Sequence, residues 1–149
     1  MNLPASLFIK GISVKEVFFF STNKIKTLDP HYFICIKKDD SEVLLFSCCT
    51  TKGSKREDYI QKMGITLETL VYIRPGQDGN PFKYDTYVDC NKAIPFTIEE
   101  FEAMHKSGKI EYKGEINTDY YLQIIIGLLK SPQIEQVIKD SLVNPDSII

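Results

Sequence analysis

The sequence lacks the motifs that identify most nucleotide-dependent and metal-dependent enzymes. It has neither a GxxxxGKS nor a GxGxxG loop, which argues against enzymes that hold a nucleotide or dinucleotide through such loops. It has no GxSxG turn and no HExxH helix, and its carboxylates do not follow the spacing of a calcium loop. We therefore expect neither a cofactor nor a bound metal ion.

Histidine and cysteine are scarce. The two histidines, His31 and His105, and the four cysteines show no zinc-site spacing, and no two cysteines form a CxxC pair. We expect the cysteines to be small apolar residues packed in the strands of a reduced intracellular protein. A redox sensor built on the adjacent Cys48 and Cys49 is an alternative.

Long apolar runs are absent as well. Leu7–Ile9 and Val17–Phe20 are short, and charged residues separate them. Neither resembles a signal peptide, and no segment approaches the roughly 20 apolar residues of a membrane helix, so we expect a cytoplasmic protein without membrane contact. The formal net charge of −2 argues against coating nucleic acid through bulk charge, but it allows a local basic patch.

What the sequence does contain is a strand-rich part, at about residues 15–92, followed by a helical segment at about residues 97–143. The length of 149 residues and the 43% hydrophobic content suit one domain over residues 1–149. Strands that precede helices in this way predict an α+β fold. We expect a small β-barrel or a curled antiparallel sheet, packed by the C-terminal helices.

The clearest predicted element is a β-hairpin. Its strands are the apolar runs His31–Ile36 and Glu42–Thr51, and the charged residues Lys37–Ser41 form its loop. The basic stretch Lys52–Arg56 then predicts a flexible segment, before a short helix around Asp58–Met63.

Three helices are predicted near the C-terminus. A capping box, Thr97 with Glu100, starts the first. Asn117 or Thr118 caps the second, and Ser131-Pro132 starts the third. The predicted apolar faces are Leu122, Ile125, Ile126 and Leu129 on the second helix, and Ile134, Val137, Ile138 and Leu142 on the third.

Residues able to do chemistry cluster at one end of the predicted hairpin. His31 opens its first strand and Thr50 and Thr51 close its second, and in an antiparallel pair these two ends are neighbours. The same end carries the basic residues Lys52, Lys55 and Arg56. An imidazole that moves a proton, beside hydroxyls and cations that stabilise a phosphate, would suit metal-free RNA cleavage.

Structural roles are the alternative for each of these residues. His31 could satisfy a backbone group in a turn, threonine is common in strands, and the basic residues could form an ordinary solvated loop. Asp89 and Asn91 could join the site or cap a turn. Tyr84 and Tyr87 could stack on bases or pack within a strand.

Four segments also follow a recognisable order. They are a polar residue before an apolar run (His31–Ile36), an apolar strand that ends in two threonines and a lysine (Phe46–Lys52), a later strand (Thr86–Asn91) and a closing helix preceded by serine (Ser131–Leu142). This order resembles the PemK/MazF family of toxin endoribonucleases, over roughly Asp29 to Leu142. The resemblance implies an SH3-like barrel with added helices, a metal-independent endoribonuclease activity, a homodimer and an antitoxin partner.

The resemblance also suggests roles for single residues. Thr50 matches the family's site threonine, whereas His31-Tyr32 stands where the family usually carries Arg-Pro, and the family's opening Gly-Asp-Ile-type segment is absent. Either His31 substitutes in proton transfer, or the nuclease activity is lost and a barrel remains that binds a protein or RNA partner. The leading hypothesis has His31, Thr50 and Arg56 as catalytic residues, and Thr51, Lys52, Lys55, Asp89 and Asn91 as substrate contacts.

Overall fold

The computed structural model describes residues 11–39 and 43–143, and its strands form one antiparallel sheet. The strands are β1 (Glu16–Phe20), β2 (His31–Asp39), β3 (Val43–Thr50), β4 (Leu70–Ile73), β5 (Thr86–Asp89), β6 (Ile94–Thr97) and β7 (Glu111–Glu115). The α-helices are α1 (Gly53–Lys62), α2 (Ile98–Lys106), α3 (Thr118–Lys130) and α4 (Gln136–Val143).

The strand order is β4-β5-β3-β2-β1-β7, with β6 pairing with β3 beside that path. β3 is central, because β2 occupies one of its edges while β6 and β5 share the other. Within the described residues the sheet does not close into a barrel, since the outer strands β4 and β7 each pair with a single neighbour. The predicted α+β fold with a curled antiparallel sheet is confirmed, in its open form.

The predicted hairpin is present as β2 and β3, which pair through Phe33 with Cys48 and Ile34 with Ser47. β2 continues through Asp39, so the first residues of the predicted Lys37–Ser41 loop belong to the strand. The rest of that loop, together with Glu42, lies outside the described residues.

Apolar residues fill both faces of the sheet. One cluster is mostly phenylalanine and includes Phe33, Phe46 and Phe101, the last contributed by α2. The other cluster lies between the sheet and the C-terminal helices, where Ile34 of β2 shares it with Leu128 of α3. Because both faces are covered, β2 and β3 are apolar on successive residues rather than on alternate ones.

The capping box of α2 is confirmed by two hydrogen bonds. The Glu100 amide donates to the Thr97 hydroxyl at 3.1 Å, and the Thr97 amide donates to the Glu100 carboxylate at 3.0 Å. Asn117 caps α3, because its side-chain oxygen accepts from the Tyr120 amide at 2.8 Å.

The predicted apolar stripe of α3 is correct for Ile125 and Leu129, which pack against the core, and wrong for its other two residues. Leu122 and Ile126 are exposed, whereas Ile124, Gly127 and Leu128 are buried. Gly127 explains the difference, because a Cβ there would lie 2.8 Å from the Cys90 sulfur. The helix turns its glycine toward the sheet and approaches it more closely than a larger residue would allow.

Two helix starts also differ from the prediction. α1 begins at Gly53 and not near Asp58, so the basic stretch is helical and not a flexible segment. α4 begins at Gln136 and not at Ser131-Pro132, and Val137 of its predicted apolar face is exposed. Among residues 11–39 and 43–143, no helix combines the length and hydrophobicity needed to cross a membrane.

Candidate functional site

A groove of about 540 Å³ opens where β2 begins and β3 ends. The chain that follows β3, the first turns of α1 and the segment before β5 complete its walls. Its lining residues are Phe19, Thr27, Pro30, His31, Tyr32, Cys49, Thr50, Thr51, Lys52, Arg56, Phe82, Lys83, Tyr84 and Thr86. Five of the residues predicted for the site therefore line one groove: His31, Thr50, Thr51, Lys52 and Arg56.

The β2–β3 pairing brings His31 and Thr50 to this groove. Phe33 of β2 lies opposite Cys48 of β3. Because the strands are antiparallel, moving two residues back along β2 and two forward along β3 places His31 opposite Thr50. The Nδ1 atom of His31 lies 2.8 Å from the carbonyl oxygen of Asp29. Because a carbonyl can only accept, Nδ1 carries the hydrogen in this contact, and Nε2 of the neutral ring can accept a proton.

Thr50 ends β3 and turns the chain toward α1. Its hydroxyl oxygen accepts from the Lys52 backbone amide at 3.0 Å, a local bond that favours a turn over a continued strand. The hydroxyl hydrogen can still donate, since a threonine side chain both donates and accepts. Thr51 and Lys52 are exposed between Thr50 and the helix.

Arg56 reaches the groove from α1. The helix starts against the Tyr87 ring, where a Cβ on Gly53 would come within 2.4 Å of the ring. From this position the guanidinium Nη1 of Arg56 lies 3.4 Å from the Asp89 Oδ2, and the Arg56 guanidinium also faces the Tyr59 ring. An arginine side chain has five N–H donors, more than one contact with Asp89 uses.

Asp89 and Asn91 lie behind the groove, and neither is among its lining residues. The Asp89 Oδ1 accepts from both the backbone and the side-chain nitrogen of Asn91, each at 3.0 Å. Asn91 also donates to the Thr69 hydroxyl at 2.9 Å and accepts from the Ser131 hydroxyl at 2.6 Å. These buried bonds connect Arg56 to the junction of α3 and α4.

Lys55 is exposed on α1 and does not line the groove. Lys83 does line it and was missed by the sequence reasoning, because the turn-rich segment before β5 gives no periodic signal. Tyr84 precedes β5 and is 73% exposed, so it does not pack within a strand.

The charged side chains that line the groove are basic. Lys52, Arg56 and Lys83 line it, and none of its described lining residues is aspartate or glutamate. Within residues 11–39 and 43–143, no three His, Cys, Asp or Glu side chains come together in a way that could hold a metal ion. The arrangement can therefore bind an anion, and its imidazole can transfer a proton beside that anion.

The cysteines are free thiols, and three of the four are buried. Burial raises the pKa of Cys48 to about 11 and that of Cys35 to about 12. Burial also raises the pKa of Cys49 well above its usual value, and the neighbouring Cys48 and Cys90 add to the effect. Since the thiolate is the reactive form, these environments disfavour a redox sensor on Cys48 and Cys49.

Comparison of the chain with protein-family models and with curated proteins finds no match. The resemblance to PemK/MazF toxins therefore stays a prediction from the four segments that suggested it.

Proposed function

We propose that the groove binds single-stranded RNA and that the protein is a toxin-like, metal-independent endoribonuclease. The observation that carries the proposal is the composition of the groove. His31 and Thr50 share it with the cations Lys52, Arg56 and Lys83, and its described lining includes no carboxylate to repel phosphate. Phosphate contacts from lysine and arginine supply most of the affinity that is independent of sequence in nucleic-acid binding.

The proposed reaction uses the ribose 2′-hydroxyl as the nucleophile. The Nε2 of His31 accepts the 2′-hydroxyl proton while O2′ forms a bond to the adjacent phosphorus. The bond from phosphorus to O5′ breaks, and the departing 5′ oxygen takes a proton from water. The products are a 2′,3′-cyclic phosphate and a 5′-hydroxyl end.

The other groove residues act on the phosphate. Arg56 and Lys52 stabilise the negative charge that develops on the non-bridging oxygens as O2′ attacks. The Thr50 hydroxyl donates to one of those oxygens and holds the phosphate in line with O2′. Asp89 holds the Arg56 guanidinium from behind, so it acts on the arginine and not on RNA.

The proposal includes the setting implied by the family resemblance. The protein would act in the cytoplasm as a homodimer, and an antitoxin protein would neutralise it. Light scattering on the purified protein tests the dimer, for which we expect about twice the 17.1 kDa mass of the chain. A monomer at micromolar concentration would remove the dimer from the proposal.

A non-catalytic RNA-binding protein is the second candidate. The ion pair between Arg56 and Asp89 favours it, because a guanidinium already paired with a carboxylate supplies less charge to a transition state. The Asp29 carbonyl could likewise hold the His31 ring for a structural reason. In this case the groove would bind RNA without cleaving it.

RNA cleavage by the purified protein in EDTA tests the nuclease. We expect cleavage with 2′,3′-cyclic phosphate ends, and a loss of about 100-fold or more in His31→Gln, the range for removal of a general base. Thr50→Val should also slow cleavage, whereas His105→Gln on α2 is the matched control.

Two results would decide against the nuclease as proposed. If His31→Gln and Thr50→Val cleave at the wild-type rate, the residue assignment is wrong. If the wild-type protein binds RNA but cleaves none, the second candidate replaces the first.

A further inference from the structure

Besides its basic residues, the groove is lined by aromatic side chains. Among them, the Tyr32 ring packs against Phe19 at 4.8 Å and edge-on against Phe82 at 5.2 Å, measured between ring centroids. Tyr84 follows Phe82 by two residues, lines the same groove and is 73% exposed. A large aromatic ring that stays exposed at the edge of an apolar wall is suited to cover a flat ligand.

The backbone that carries Tyr84 is held in place by hydrogen bonds. The Phe82 backbone amide donates to the Asn80 side-chain oxygen at 3.0 Å, and the Asn80 Nδ2 donates to the Arg74 carbonyl at 2.9 Å. On the other side of Tyr84, the Thr86 hydroxyl donates to the Tyr84 carbonyl oxygen at 3.0 Å. The ring is therefore presented from an anchored segment, which lowers the entropic cost of stacking on it.

We propose that Tyr84 forms a stacking subsite for one nucleobase of single-stranded RNA, and that Lys83 contacts the phosphate next to that base. This inference rests on the proposed RNA-binding function. A nucleobase fits because it is flat and joined to an anion, and here an exposed aromatic ring directly follows a lysine in a groove lined by further cations. The Tyr84 hydroxyl is not needed for stacking, so phenylalanine should replace it.

Fluorescence anisotropy with a labelled single-stranded oligoribonucleotide tests the subsite. Tyr84→Leu should weaken binding by about 5- to 150-fold, the range that corresponds to the loss of one base–aromatic stack. Tyr84→Phe should bind within about twofold of the wild type. Tyr112→Leu, which removes an exposed tyrosine of β7 outside the groove, is the matched control.

An oligonucleotide with abasic sites at every position separates stacking from other contacts. It should bind the wild type and Tyr84→Leu equally, because it offers no base to stack. An equal loss with both oligonucleotides would overturn the stacking subsite.

Other outcomes separate the subsite from the proposed function. If Tyr84→Leu binds RNA as the wild type does while Lys52→Ala binds more weakly, the subsite is wrong and the RNA groove stands. If the wild type binds no RNA, the proposed function fails, and the subsite fails with it. Urea unfolding of each variant verifies that the fold is intact.

Discussion

The Arg56 guanidinium in the groove lies 3.4 Å from the Asp89 carboxylate, whose side chain is only 10% exposed. The carboxylate needs this partner, because a buried charge without compensation is costly. The opposite oxygen of Asp89 accepts two hydrogen bonds from Asn91. The position of Arg56 in the groove therefore depends on Asp89, which does not line the groove.

We first predict that Asn91→Ala destabilises the protein by about 2 to 3 kcal/mol, because it leaves buried partners without their hydrogen bonds. The Ser131 hydroxyl loses its acceptor, and the Thr69 hydroxyl and the Asp89 carboxylate lose a donor. Urea unfolding measures the change, with the exposed Asn23→Ala as the matched control. A loss no larger than that of the control would show that the buried bonds contribute nothing.

The hairpin and the groove residues at its end could be predicted because their positions depend on local pairing. The strands β2 and β3 are close in sequence and antiparallel, so the start of β2 meets the end of β3, and His31 and Thr50 line the same groove. Lys83 could not be found in this way, and Tyr84, although a candidate for base stacking, could not be assigned to this groove. The segment before β5 carries no periodic pattern, and its path depends on the bonds that the Asn80 side chain donates to the Arg74 and Gln77 carbonyls.

The errors in the helices have a common cause in contacts that are distant in sequence. α1 was expected to begin near Asp58, but Gly53 packs on Tyr87 of β5 and starts the helix there. The buried face of α3 was predicted from its large apolar residues, whereas the helix is oriented by the small residue that meets Cys90. Hydrophobic periodicity detects faces made of large apolar residues. It therefore misses a face that packs closely on its neighbour through a glycine.

The second prediction is that replacing Gly127 by alanine lowers stability, whereas glycine-to-alanine substitutions within helices usually raise it. Alanine normally favours a helix over glycine by about 1 kcal/mol. A Cβ at Gly127 would lie 2.8 Å from the Cys90 sulfur and 2.9 Å from the Glu68 carbonyl oxygen, so α3 would have to move from the sheet. We expect Gly127→Ala to destabilise the protein by about 1 to 3 kcal/mol.

Gly11→Ala is the control for this substitution, because a Cβ there would meet no atom of the described residues within 4 Å. Thermal and urea unfolding of both variants measure the difference. Equal or higher stability of Gly127→Ala would mean that the close approach of α3 to Cys90 is not a constraint.

The third prediction concerns the contribution of Glu100 to folding stability at low pH. The bond from the Thr97 amide and the ion pair with Lys24 lower the pKa of Glu100 below its usual 4.5. A carboxylate with a lowered pKa in the folded state stabilises the fold fully above its unfolded pKa. The contribution is lost as the pH falls through the lowered value.

Glu100→Gln should therefore be less stable than the wild type at pH 7, and the difference should shrink toward pH 3. Glutamine keeps an oxygen that can accept from the Thr97 amide, so the variant isolates the charge. Glu99→Gln lies in the same first turn and controls for the helix dipole. A difference between Glu100→Gln and wild type that is equal at both pH values would contradict the assigned cause.

The last prediction uses salt to count the phosphate contacts of the groove. Each phosphate contact to a single strand contributes about −0.7 to the slope of the logarithm of the association constant against the logarithm of salt concentration. If Lys52, Arg56 and Lys83 each neutralise one phosphate, we expect a slope of about −2 for RNA binding. Lys52→Ala should reduce the steepness by about 0.7. Lys55→Ala should leave the slope unchanged, because Lys55 does not line the groove.

Anisotropy titrations between about 50 and 200 mM NaCl give these slopes. Lys52 and Lys55 are near neighbours in sequence and carry the same charge, but only Lys52 lines the groove. A difference between the two variants can therefore be assigned to the groove. Equal slopes for the two variants would mean that RNA follows the exposed face of α1 and not the groove. The site would then have to be moved away from His31 and Thr50, and the proton transfer assigned to His31 would lose its substrate.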